Sequence, residues 1–431
     1  MKNGNTGKQD APVEIDAVQG LKTGGADLIG IASNTLNSLA DTMERKAGLP
    51  VPWHLFQGDH LEVAGPNNGP LRRNFLHEKL DQKKGRGELM PSTRKYLMIT
   101  MLFFCCSQAW SDDTLQYLRL GDFQLEQGGV IRDCLLGYRT SGTLNKEKSN
   151  AILVPTWLAG TSKELIDLNF IGPGMAFDST KYFIIAVDAF GNGISSSPSN
   201  SEAQPRDAFP VFGIRDLVRA QQVLVSRHLK IPRLRAVAGI SMGAMTTLQW
   251  MVSYPDLMDM VIAVSGNPRL TSYEMLYWSA QLGVLEQVGA CKGSETAMKT
   301  LAPLHVLQAW PSDYRNTRTK PEGFPAFLAD QQKNLSAYNA ADWAAQLKAI
   351  LLHDVFQGPD IDREQLRKTI CARLLVLISP KDQMVLSEET LAFAQLLGAR
   401  TVELDGTCGH FAFLCDQKRL AQEIHEFLAK G

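Results

Sequence analysis

The sequence predicts an α/β fold built on a mostly parallel sheet with helices on both faces. Three observations carry that prediction. Short apolar runs alternate with helical periodicity from Leu118 onward, a pair of strands opens the pattern, and a Gly-x-Ser-x-Gly segment joins a strand to a helix. Unbroken apolar runs point to strands covered on both faces, as parallel strands are; an antiparallel strand wetted on one side would alternate.

Taken in order, residues 123–131 and 134–140 read as an antiparallel opening pair, and 151–155 and 182–187 as two buried strands. Leu217, Ala220, Val223, Leu224 and Leu229 recur near helical spacing and predict a helix over 214–229. Strand 235–239 leads through the glycine-flanked turn into a helix over 244–250; later strands are 261–265, 374–378 and 401–404, and a last helix covers 417–428. Between 268 and 355 the strand alternation stops and the pattern turns helical and irregular, so a helical cap is expected there; ordinary covering helices are the plainer alternative.

With 431 residues, 44% of them hydrophobic, the chain can bury a large core. Its 44 basic residues against 45 acidic ones leave no electrostatic footprint for nucleic acid or an anionic membrane surface, which favours a small-molecule substrate. The seven cysteines form no C-x-x-C pair and no ligand spacing with histidine. No phosphate-binding glycine loop and no dinucleotide fingerprint occurs, so neither metal nor cofactor is expected.

Met90-Pro91-Ser92-Thr93-Arg94-Lys95 precedes an apolar run from Tyr96 to Cys106 and a small-residue zone at Ser107-Gln108-Ala109. This order of basic, apolar and small residues predicts a secretory signal over 90–109, since the run is well short of the about 20 residues a membrane span needs. Residues 1–89 are rich in Gly, Asn, Asp and Lys, and translation is expected to start at Met90, with a periplasmic or secreted mature protein. Without such a signal the protein would be cytoplasmic. After cleavage five cysteines would remain; Cys408 and Cys415 bracket His410 and can bridge locally, although buried free thiols are the reading preferred from sequence.

The chemistry centres on Gly239-Ile240-Ser241-Met242-Gly243. A tight strand-to-helix turn lifts a serine hydroxyl above the sheet, and glycines make room for the crowded backbone. Serine is a weak nucleophile, so it needs a base, and the base needs an orienting acid. Asp382 follows strand 374–378, and His410 lies in the loop after the last strand; the other histidines fall before the signal, on helices or in the cap segment. The order Ser241, Asp382, His410 on this element pattern predicts an α/β-hydrolase fold with a catalytic triad. The backbone N–H groups of Met242 and Leu158 are the expected oxyanion donors. Arg269 and Arg315 are candidates for holding a substrate carboxylate.

Gly137 to Asn145 resembles the opening Y-x-T-x-G-x-L-N segment of the homoserine O-acetyltransferase family; Gly239 to Trp250 and Gly409-His410 with Ala412-Phe413-Leu414 resemble its nucleophile and histidine motifs. The resemblance runs from about Leu118 to the C-terminus. It implies an acyl-enzyme on Ser241, acetyl-CoA as donor, homoserine as acceptor and a homodimer through the cap. This chain departs from the family at Phe411, where an acid commonly meets the acceptor's ammonium, and at Thr156, which replaces the His of an early H-x-L-T-G loop. The loop Asp188 to Gly193 departs as well. A buried ammonium without a partner is costly. Homoserine is therefore expected to bind poorly, and export would remove acetyl-CoA. The expected function is a serine-dependent esterase, with the acetyltransferase as its alternative and a non-catalytic ligand-binding protein as a third reading.

Overall fold

The computed structural model describes residues 114–357 and 363–430; residues 1–89 and the expected signal at 90–109 lie outside them. Strands β1 (Gln116–Gln124) and β2 (Val130–Ser141) form the antiparallel opening hairpin. The apolar pattern predicts one strand over 123–131, but the chain reverses inside that span. Gly128 and Gly129 adopt φ of 82° and 89°, and Leu125 N–H donates to the Gly129 carbonyl across the turn. Two left-handed residues break an extended run that apolarity alone would continue.

Strand β3 (Ala151–Pro155) is followed by helix α1 (Ser162–Asp167), by a small parallel pair, β4 (Ile171–Gly172) with β5 (Phe177–Asp178), and by β6 (Phe183–Val187). Helix α2 (Ile214–Gln222) passes into a π-helical segment, Val223–His228, instead of continuing as one α-helix to residue 229. The wider turn keeps the adjacent Leu224 and Val225 both buried. Then come β7 (Leu234–Ile240), α3 (Met242–Ser253) and β8 (Met258–Val264).

After β8 the chain makes a helical excursion through α4 (Ser272–Lys292), α5 (Ser294–Ala309), α6 (Ser312–Arg318), α7 (Phe324–Leu335) and α8 (Ala340–Leu351). This excursion leaves and returns at one point. Arg269 and Asp354 form an antiparallel bridge, and Val355 N–H donates to the Pro268 carbonyl at 2.9 Å. The chain ends with α9 (Arg363–Thr369), β9 (Arg373–Ile378), α10 (Glu388–Leu397), β10 (Arg400–Glu403), the short α11 (Ala412–Cys415) and α12 (Gln417–Ala429).

The main sheet has eight strands in the order β1-β2-β6-β3-β7-β8-β9-β10, parallel from β6 onward. Alternate residues serve opposite faces. Leu153, Val237, Val261 and Val376 enter one apolar cluster with α3, whereas Ile152, Val154, Ala238, Ile262 and Leu375 enter the other with Leu420, Ile424 and Phe427 of α12. Both faces are covered, so each central strand reads as an unbroken apolar run. Among the described residues no helix is long and apolar enough to cross a membrane.

His353 is sealed beneath the root of the helical excursion, where its Nε2–H donates to the Asn267 carbonyl at 2.9 Å. Burial pushes its imidazole down to about 4 from an ordinary 6.5. Below pH 6.5 the unfolded chain takes up a proton that the folded chain refuses until about pH 4, so this group's contribution to stability is present above that window and declines as pH falls through it. Thermal melts of His353→Gln should therefore decline less steeply than wild type between pH 6.5 and 4; parallel declines would mean that this histidine is not linked to folding.

Candidate active site

Strand β7 ends at Ile240 and α3 begins at Met242, so Ser241 alone makes the corner. Its φ of 57° and ψ of −125° lie outside the regions favoured by L-residues, at a cost of about 1–3 kcal/mol. The surroundings hold it there: Ser241 N–H donates to the Val264 carbonyl at 2.9 Å, and its own carbonyl accepts from Ala244 and Met245 N–H at 2.8 and 3.0 Å. A Cβ at Gly239 would lie 2.2 Å from the Gly243 carbonyl oxygen, and one at Gly243 would lie 2.4 Å from that of Pro155. Gly266 was not singled out in the sequence, yet a Cβ there would lie 2.3 Å from Ala244 Cβ and 2.9 Å from the Ser241 carbonyl oxygen.

The three residues expected to act together do meet. Ser241 Oγ stands 3.0 Å from His410 Nε2, and His410 Nδ1 stands 2.8 Å from Asp382 Oδ2. A carboxylate can only accept, so it selects the tautomer with the proton on Nδ1 and leaves Nε2 to accept from the serine hydroxyl. The other oxygen of Asp382 accepts from Met384 and Val385 N–H, both at 2.9 Å, which fixes the carboxylate in its loop after β9. His410 and Asp382 are both buried.

His410 sits in a 3-10 turn, Gly406–Phe411, and the Cys408–Cys415 disulfide closes a ring around it. The bridge corrects the preference for free thiols at these two positions. Cys134 is a free buried thiol, pushed up to about 12 by burial, while Cys291 and Cys371 are free and exposed.

The Leu158 turn follows β3, next to the corner. Thr156 is buried, and its hydroxyl accepts from Ala189 N–H at 3.1 Å. Trp157 packs edge-on to Phe170 and over Phe413, and Gly160 leaves room for its ring. Gly160 N–H donates back to the Trp157 carbonyl at 3.0 Å. The far end of the turn is held by Asp188, which accepts from Ser162 N–H and Oγ–H at 2.7 and 2.6 Å, and by Asn192 Nδ2, which donates to the Gly160 carbonyl at 3.0 Å. Burial raises the Asp188 carboxyl above its ordinary range, against those hydrogen bonds. The Met242 N–H, at the first position of α3, has no acceptor within its own helix.

Helix α4 contributes a buried carboxylate that the sequence reading missed. Glu274 accepts from Thr271 N–H and Oγ–H at 2.7 and 2.8 Å, closing a capping box. Its other oxygen accepts from Asn267 Nδ2 at 2.7 Å and from Leu386 N–H, in the Asp382 loop, at 2.9 Å. Burial raises its pKa, and the nearby Asp382 charge acts in the same direction. The spacing Thr271-x-x-Glu274 was legible as a cap; its reach to Leu386 was not.

Each of the two arginines has partners of its own. Arg269 makes a bidentate pair with Glu389 at 2.7 and 2.9 Å beside the root of the excursion, so a substrate carboxylate would have to displace Glu389. Arg315 lies over the rings of Trp310 and Phe327 and donates to Thr319 Oγ1 at 3.0 Å. Trp310 packs on Phe411 at 4.9 Å, and Phe411 and Phe413 stand 5.9 and 6.0 Å from the His410 ring. His305 is neutral and packed within the helices, pushed down to about 3 by burial and by the neighbouring His410.

Residues 152–416 match a family model described as alpha/beta hydrolase fold. The chain belongs to the alpha/beta hydrolase fold family. Within this family it is 42% identical over 160 residues to a probable esterase of Corynebacterium glutamicum and 38% identical over 221 residues to an ethyl acetate hydrolase of Pseudomonas veronii. Those matches cover 37% and 48% of this chain and span 46% and 62% of the relatives, less than two thirds of either. It is also similar to a homoserine O-acetyltransferase of Moorella thermoacetica, at 28% identity over 350 residues covering 70% of this chain and 92% of that one. The structure of the acetyl esterase MekB superposes with a TM-score of 0.68 at 28% identity, covering 74% of this chain and 96% of that one.

Two outcomes follow for this member of the alpha/beta hydrolase fold family. Gly243→Ala, whose new Cβ meets a carbonyl that cannot swing away, should cost about 1–3 kcal/mol in urea unfolding and remove most activity; wild-type behaviour would refute the tight approach at Pro155. The double variant Cys408→Ser/Cys415→Ser should lose about 2–3 kcal/mol, as expected for a short closed loop, and an unmoved denaturation midpoint would count against the bridge.

Proposed function

We propose that the protein is a serine-dependent acyl hydrolase acting on small carboxylic esters. The observation that carries this is the unbroken hydrogen-bond chain from Ser241 through His410 to Asp382 at a strained strand-to-helix corner. Ser241 Oγ attacks the ester carbonyl carbon while His410 Nε2 takes its proton, and Asp382 stabilises the imidazolium that results. Leu158 and Met242 N–H receive the negative charge that develops on the carbonyl oxygen. Collapse breaks the carbon–oxygen bond to the alcohol, which leaves with the proton from His410. Water, deprotonated by the same histidine, then attacks the acyl-Ser241 carbonyl, and the carboxylic acid departs with the serine restored.

The same first half serves acyl transfer, so the choice rests on the acceptor. Phe411 follows the histidine and packs against Trp310 and Phe413, so the position where the resembling acetyltransferases carry an acid offers no carboxylate to pair with a buried ammonium. The esterase names among the relatives support the same reading. Export through the segment at 90–109 fits it too, and the Cys408–Cys415 bridge is of a kind that persists in oxidising compartments.

Purified protein given p-nitrophenyl acetate should hydrolyse it, and given acetyl-CoA should release no CoA in a homoserine-dependent way. Rapid release only when homoserine is present would replace the hydrolase with the acetyltransferase. Ser241→Ala should lower kcat by at least ~10³-fold while the fold survives, and full turnover in that variant would remove the assignment.

A further inference from the structure

We infer that Gln346, in the cap helix α8, is a positioning residue for the oxyanion donor at Leu158. This rests on the proposed function above and adds to it a part that no motif marks. Gln346 is completely buried, and both ends of its amide are engaged: Oε1 accepts from Ala159 N–H at 2.6 Å, and Nε2 donates to the Phe190 carbonyl at 2.9 Å. The two partners fix the orientation of the amide, since an N–H needs its oxygen and a carbonyl needs its nitrogen. Its stem passes close to Gly191, where an added Cβ would lie 3.1 Å from Gln346 Cγ.

The position of that contact is what separates positioning from mere attachment of the cap. Leu158 is flanked by two peptide planes: the first carries its N–H, and the second, joined to it at the Leu158 Cα, keeps the first from rotating when it is itself held. The plane between Trp157 and Leu158 is held within the turn by Gly160 N–H donating to the Trp157 carbonyl at 3.0 Å. The plane between Leu158 and Ala159 carries the N–H that Gln346 receives. Ala159 has a φ of 57°, a conformation an alanine keeps only where its surroundings impose it. Without the glutamine the turn is free to relax at Ala159, and the neighbouring Leu158 N–H turns with it. A donor aimed at developing charge acts through its preset direction, and loss of a whole donor typically lowers kcat by about 10²–10³-fold. A misdirected donor should therefore cost about 10–100-fold.

The test compares an ester with the thionoester of the same acid, whose C=S is a poor hydrogen-bond acceptor and gains little from an oxyanion hole. In Gln346→Met, kcat for p-nitrophenyl acetate should fall about 10–100-fold with KM within about threefold, and the ester-to-thionoester ratio of kcat/KM should shrink by a similar factor. Gln346→Asn, polar but too short to reach Ala159, should behave alike and carries the test if the methionine variant does not fold. Gln346→Glu keeps an acceptor for Ala159 and should recover part of the ratio. Equal losses on both substrates, or an unmoved kcat, would reduce Gln346 to a structural tie and overturn the inference. Stoichiometric labelling of wild-type Ser241 by a p-nitrophenyl phosphonate separates the two claims. Failure to label would remove the hydrolase reading itself, whereas normal labelling with an unmoved ratio would remove only the role of Gln346.

Discussion

Everything in the site depends on how closely two stretches of backbone approach each other. The corner at Ser241 and the end of β3 press together at Gly243 and Pro155, with no side chain between them. That contact brings the first N–H of α3 and the turn after β3 to the same edge of the sheet, where β3 and β7 are neighbours. The parallel order then delivers the remaining parts, because loops beyond the carboxyl ends of adjacent parallel strands open on one side. Asp382 and His410 come from two such loops, yet they meet with ordinary hydrogen-bond lengths.

The helical excursion does more than cover this edge. Glu274 reaches from α4 to the loop of Asp382, and Gln346 reaches from α8 to the turn of Leu158. Lys381, beside the acid, pairs with Asp313 of α6. Burying Glu274 and Gln346 without partners would be costly, so the hydrogen bonds that satisfy them also hold the excursion in one position.

Much of this was legible in the sequence, and what was not has a physical reason. Central strands announced themselves because both faces are buried, and the corner at Ser241 because glycines are needed at fixed offsets around it. The order of serine, acid and histidine identified three groups that lie far apart along the chain. Apolarity misplaced the opening strand, since only the left-handed glycines at 128 and 129 betray the reversal. Gln346 gave no signal at all: its partner Ala159 is 187 residues away, and a buried glutamine on a helix looks like any other polar position. Charge marks Arg269 as a carboxylate binder, but charge does not say that Glu389 is already in place.

Because the excursion leaves and returns at the Arg269–Asp354 bridge, its length can change without shifting a single strand of the sheet. That geometry invites the exchange of whole caps between related enzymes as a route to new substrates. The ties at Glu274 and Gln346 set a condition on such exchanges. A transplanted excursion that lacks equivalents of these two side chains would replace the covering surface and slacken the Asp382 and Leu158 loops at once, so the two changes would be inherited together.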